Sequence, residues 1–141
     1  MPIIENRGVR NRNPGNIDYN PANKWLGQLK PDPAVEKRFV RFDTPENGIR
    51  ALGKLLLTYQ RKHGLKTVRT IISRWAPSIE NDTDAYVRAV EAKTGTQPGA
   101  DVDLTDPLVM AGFVKAIIHH ENAGYIYPDS VVSEGVRRAL A

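Results

Sequence analysis

Cysteine is absent from the 141 residues, which excludes disulfides, thiolate zinc sites and a cysteine nucleophile at once. Histidine is scarce, at positions 63, 119 and 120 only, so an all-histidine metal site would need every one of them. His119 and His120 are adjacent, and neighbouring side chains on a helix point about 100° apart, so they do not form the one-face pair of a zinc protease. No apolar run approaches the ~20 residues of a membrane span. Met1-Pro2-Ile3-Ile4-Glu5 lacks the basic stretch and apolar core of a secretory signal. The expectation is a chain made in the cytoplasm, without transmembrane segment, metal or cofactor, and carried by something else to any other place of action.

The charge excess is small. Twenty Lys and Arg against 16 Asp and Glu leave +4, a mildly basic surface that suits a polyanionic partner such as nucleic acid, a membrane surface or the bacterial cell wall. No nucleic-acid recognition motif accompanies it, so no nucleic-acid partner is expected. With 40% hydrophobic and 26% charged residues the balance is that of a folded domain rather than a disordered chain. The length suits a single domain over residues 1–141.

Within it, residues 1–43 are irregular. Gly8, Pro14, Gly15, Pro21, Gly27, Pro31 and Pro33 punctuate them, and Asn recurs at 6, 11, 13, 16, 20 and 23, so no long helix forms there. Asn16-Ile17-Asp18-Tyr19 and Arg38-Phe39-Val40-Arg41-Phe42 suit short strands, which predicts a small β flap. Residues 44–141 are helical. Thr44-Pro45-Glu46 opens a helix through Ile49, Leu52, Leu55, Leu56 and Tyr59 to His63-Gly64. Thr67 caps a second through Ile71, Ile72 and Trp75, stopped at Ala76-Pro77. Asp82 or Thr83 caps a third through Tyr86, Val87 and Val90 to Gly95, and Asp106-Pro107 opens the most apolar, which runs out near Glu121-Asn122-Ala123-Gly124. A last helix starts at about Ser130. The fold class is mainly α (α+β).

Glu121 is the leading candidate for chemistry. Apolar neighbours and the negative end of a helix dipole both disfavour its ionisation. A carboxylic acid kept protonated near neutral pH is what glycosidic cleavage asks of a general acid. The plain alternative is an exposed Glu at a fraying helix end. Asn13-Pro14-Gly15-Asn16 is a turn by its chemistry, and its amides, with Trp25 and Gln28, can bind the hydroxyls and ring face of a sugar; Trp25 can equally plug the core under the flap. The loop over residues 75–83 supplies Asn81, and Tyr86 lies one turn further on, its hydroxyl expected to face the same cleft as Glu121, Asn13 and Asn16.

These segments carry a resemblance. Asn13-Pro14-Gly15-Asn16-Ile17, Trp25-Leu26-Gly27-Gln28, Arg38-Phe39-Val40-Arg41-Phe42 and Gly48-Ile49-Arg50-Ala51-Leu52 form an ordered set. It resembles phage and prophage proteins of the lysozyme-like group, and the β-lobe and following helix of bacterial glucosaminidases and lytic transglycosylases. Ala76-Pro77 to Tyr86 is similar to their loop ending in an active-site tyrosine. In that family the catalytic Glu closes a buried helix upstream of the Asn-rich turn. Here the matching stretch, Ala116-Ile117-Ile118-His119-His120-Glu121-Asn122-Ala123-Gly124, lies downstream. The resemblance therefore implies a circular permutation of the lysozyme fold, with Leu140 and Arg10 close in space. It implies a peptidoglycan hydrolase, of muramidase or lytic transglycosylase type, acting on β-1,4 bonds with Glu121 as general acid. Glu36 and Glu5 are the runners-up. The partners implied are glycan strands and other virion proteins, and the location a virion or, by delivery, the periplasm and cell wall. The competing expectation is a non-enzymatic virion or wall-binding module that keeps the fold.

Overall fold

Four side chains start four helices. Thr44 accepts the Asn47 backbone N–H and opens α2 (Pro45–His63), and Thr67 forms a reciprocal capping box with Thr70 at α3 (Val68–Trp75). Asp82 accepts from the Ala85 N–H at α4 (Thr83–Thr94), and Asp106 from the Leu108 N–H at α5 (Pro107–Glu121). Each cap satisfies a backbone donor that the first helical turn leaves without a partner. Gly64 (φ 63°) and Gly95 (φ 72°) end α2 and α4 in the left-handed conformation open to glycine. The last helix, α6 (Asp129–Leu140), has Asp129 in its first turn and Arg137 and Arg138 in its last, in keeping with its dipole. With a short α1 (Arg7–Arg10), these make six helices among the residues that the computed structural model describes, 6–76 and 82–141. None of them is long and apolar enough to cross a membrane.

The helices close around one large apolar cluster. Ile49, Leu52 and Leu56 of α2, Ile71 and Ile72 of α3, Met110, Phe113 and Ile117 of α5 and Val132 and Val136 of α6 are all buried in it. Two glycines set the closest approach. A methyl group on Gly53 would stand 2.7 Å from the Ala139 Cβ, and one on Gly135 would stand 2.5 Å from an Ile49 methyl. Because 135 meets 49 and 139 meets 53, α6 runs parallel to α2. On the other side, Gly112 of α5 meets Thr94, and His120 meets Tyr86, so α4 and α5 are antiparallel. A smaller cluster of Ile17, Val40, Phe42 and Ala51 joins the N-terminal segment to α2.

The N-terminal segment corrects two expectations. Its first residues include a helical turn, Arg7–Arg10, where the sequence pattern shows none; the turn has no side-chain cap and is held by tertiary contacts. The expected β flap forms no strand ladder among the described residues. Asp18 meets Phe39, and Gln28 meets Phe42, as isolated antiparallel bridges. Tyr19 N–H donates to the Arg38 carbonyl (3.0 Å), Val40 N–H to Ile17 (3.0 Å), and Leu29 N–H to Arg41 (2.8 Å). Pro21, Pro31 and Pro33 carry no N–H to extend a ladder, and side chains supply what strands would have. The Asn13 amide donates to the Ile17 and Val40 carbonyls (3.0 and 2.9 Å) and its oxygen accepts the Ile17 N–H (3.0 Å).

Glu36 is the second such clasp. Its carboxylate accepts from Arg7 Nε (2.8 Å), Asn11 Nδ2 (2.9 Å) and the backbone N–H groups of Arg38 (2.8 Å) and Phe39 (2.9 Å). The Arg7 guanidinium first, then these other donors, hold its carboxyl well below the usual carboxylate range against the opposing effect of burial. A carboxylate whose folded-state pKa is depressed adds stability above its unfolded pKa, near 4.3, and loses it as pH falls toward the folded value. Urea unfolding across pH should therefore show stability declining below about pH 4.3, and Glu36→Gln should flatten that decline while lowering stability at pH 7. An acid limb unaltered by the substitution would overturn this role.

Candidate active site

The end of α5 is locked to the Asn-rich turn by a side chain next to Glu121. Asn122, buried at the C-cap, donates from its amide to the Pro14 carbonyl (2.7 Å) and to the Ile118 carbonyl (2.9 Å). The turn comes this close because Gly8 has no side chain: a Cβ there would collide with Asn122 Oδ1 and lie 2.9 Å from Asn16 Oδ1. Beyond Asn122 the chain turns sharply through Ala123 (φ 51°) and Gly124 (φ 88°). Asn16 is itself left-handed (φ 50°). That conformation is tolerated best by Asn among side-chain-bearing residues, and it is held where the Asn16 side chain acts on Glu121.

Glu121 is half-buried. Burial pushes its carboxyl above the ordinary glutamate value, and the nearby Asn16 side chain pulls back in part. The carboxyl opens into a cleft of about 570 Å³ lined also by Asn16, Asp18, Arg38, Tyr59, Arg74 and Trp75. Gly15 gives the Trp75 ring its place: a Cβ there would stand 3.1 Å from the indole. Asp18 and Arg38 pair with each other at 2.6 Å on one wall of the cleft. The arrangement places a poorly solvated acid beside amide, indole and phenol surfaces, which is the equipment for donating a proton to a polar, ring-containing ligand.

The other site candidates separate. Asn16 reaches the cleft. Asn13 does not: it is fully buried and all its bonds go to backbone, so it shapes the turn and is closed to a ligand. Tyr86 lies beneath the cleft rather than on its wall, 1% exposed, with its ring stacked on His120 at 3.8 Å. Burial first and the nearby Glu121 charge second push its hydroxyl far up, and the Trp75 indole acts in the opposite sense without closing a hydrogen bond. Trp25 packs on the smaller apolar cluster, its backbone N–H donating to Gln28 Oε1 (3.0 Å). Trp25 and Gln28 line a separate depression with Tyr19 and Lys24, so the core-plug alternative describes Trp25. Glu36 has its oxygens taken by four donors and lies outside the cleft; a carboxylate so engaged is a poor nucleophile or base. Glu5 and Asn81 lie outside the described residues.

Sequence reasoning missed Asp18, Arg38, Tyr59 and Arg74. Three of these are charged residues on a strand-like segment or a helix face, and such charges read as solvated surface. Arg74-Trp75, at the end of a helix just before Ala76-Pro77, was the available signal, since a chain forced out of a helix exposes its last side chains.

No family model matches the chain. It is 38% identical over 132 residues to Protein P5 of Pseudoalteromonas phage PM2, a stretch covering 92% of this chain and 79% of that protein.

Two outcomes follow from the site geometry. Asn16→Gly keeps the left-handed backbone and removes the amide, so the Glu121 titration midpoint, followed by NMR of the labelled carboxyl carbon, should rise above its wild-type value. A fall would mean that Asn16 does not stabilise the carboxylate. Tyr86→Phe removes a buried hydroxyl that has no partner, so urea unfolding should change by less than about 1 kcal/mol or show a gain. A loss well beyond that would reveal a hydrogen bond at this hydroxyl.

Proposed function

The chain belongs to the family of the phage PM2 Protein P5, and we propose that it cleaves the β-1,4 glycosidic bonds of bacterial cell-wall glycan strands, with Glu121 as the general acid. The observation that carries the reading is the Glu121 carboxyl itself: half-buried, raised in pKa by that burial, and open to a cleft of about 570 Å³. An acid that keeps its proton toward neutral pH can give it to the leaving glycosidic oxygen as the bond breaks. Asn16 then stabilises the carboxylate that remains. Trp75 and Tyr59 offer ring faces of the kind sugars pack against. Water, or the substrate's own hydroxyl in a transglycosylase, completes the reaction. Asp18 is the other carboxylate on this cleft among the described residues, held by Arg38.

The proposal includes a circularly permuted lysozyme-like arrangement. Its support is the Asn122–Pro14 hydrogen bond, which joins residues 108 apart in sequence. An apolar helix closing in Glu thereby leads in space directly to the Asn-rich turn. A virion location, with delivery to the cell wall, fits a family that includes a phage protein.

The second reading is a non-enzymatic virion or wall-binding module, and the phage origin of Protein P5 favours it. Turbidity clearing of purified peptidoglycan decides between them. The wild type should clear, and Glu121→Gln, which keeps shape but cannot donate the proton, should be slower by 10²–10⁴-fold, the usual weight of general acid catalysis, while still sedimenting with peptidoglycan. Clearing by Glu121→Gln at near the wild-type rate would sink the assignment of the acid. Wild-type binding without clearing would establish the module instead.

A further inference from the structure

The two guanidiniums on the cleft are not held alike. Asp18 is paired with Arg38 at 2.6 Å, and the Arg38 guanidinium also lies 4.8 Å from the centre of the Phe39 ring. Arg74 differs. It projects from the last turn of α3, exposed, with its guanidinium 5.2 Å from the centre of the Tyr59 ring. It forms no ion pair with a carboxylate among the described residues. Arg74 and Glu121 line the same cleft.

A ligand long enough to reach both groups must cover this guanidinium. Covering it with neutral sugar strips water from a charge and returns only neutral oxygen acceptors, with no opposite charge to pair it. Covering it with a carboxylate returns a charge-assisted, two-pronged hydrogen bond to a planar group that the Tyr59 ring already orients. Resting on the reading of this cleft as a glycan site, we infer that Arg74 selects glycans that bear a carboxylate and binds that carboxylate. Cell-wall glycan offers two sources: the lactyl ether on alternate sugars, and the peptide stem that amidates it.

The test uses the Glu121→Gln protein, so that no turnover intervenes, and calorimetric titration with three probes. These are chitotetraose, which is neutral; the stem-free tetrasaccharide of alternating N-acetylglucosamine and N-acetylmuramic acid; and the same tetrasaccharide with peptide stems. At least one charged probe should bind about tenfold more tightly than chitotetraose, equivalent to about 1.4 kcal/mol. Which of the two does so identifies the carboxylate. Adding Arg74→Gln should abolish the difference by weakening the charged probe, with chitotetraose bound no more weakly than before, and Arg74→Lys should restore part of it. A cation serving only the α3 dipole or packing would move all three probes alike. Equal binding of charged and neutral probes, a preference that survives Arg74→Gln, or no binding of any probe would overturn the inference. Clearing by the wild type reports separately on the enzymatic reading: clearing without charge preference removes only the role of Arg74, and Arg74-dependent binding without clearing removes only the enzyme.

Discussion

One hydrogen bond, from the Asn122 amide to the Pro14 carbonyl, holds the candidate site together. It fastens the end of the most apolar helix to a loop from the opposite end of the chain, and everything on the cleft depends on that attachment. It sets Glu121 against Asn16. It holds the loop that carries Gly15, the seat of Trp75. The bond works because both groups are buried and the approach is kept clear by Gly8. A backbone carbonyl sealed from water must find a donor, and here the donor is the residue that caps the helix.

The N-terminal segment shows how a polar lobe can be rigid with almost no sheet. Two buried side chains, Asn13 and Glu36, make the cross-links that a ladder of backbone bonds would make elsewhere. Asn13 bonds to backbone on neighbouring segments, while Glu36 caps its own turn and reaches the Arg7 and Asn11 side chains, tying the uncapped α1 to the lobe by an ion pair. The cleft wall formed by Asp18, Arg38 and Phe39 is thus positioned by a carboxylate that takes no part in the cleft itself.

The helices were legible because their signals are local. Thr44, Thr67, Asp82 and Asp106 cap within three residues of themselves, and Gly64 and Gly95 end the chain's turns through their own backbone freedom. The α1 turn was not legible, since Arg7 gains its partner 29 residues away. Residues 38–42 have strand composition, yet their neighbours are proline-broken, and pairing is a property of both partners. Glu121 was legible as an acid at an apolar helix end. Tyr86 was not placed correctly, because a helical tyrosine three residues into α4 can face core or cleft, and His120 of α5 decides which. Arg74 was invisible for the converse reason: its meaning comes from having no counter-ion among the described residues, and only three-dimensional neighbours can reveal that.

The acid comes from residue 121 and its grip from residue 16, so the site is divided between the two ends of the polypeptide. Domains emerge from the ribosome at about 5–20 residues per second, and contacts of long sequence separation close last. The Asn-rich loop is therefore made before its helix and waits for it while the 108 residues that separate Pro14 from Asn122 are added. Fragments released before Asn122 has been added contain the loop, Trp75 and Arg74 but no bond to α5. The cleft is completed in one step, when the end of α5 docks on the loop, and a chain stalled before Asn122 holds the cleft's parts without the bond that joins them.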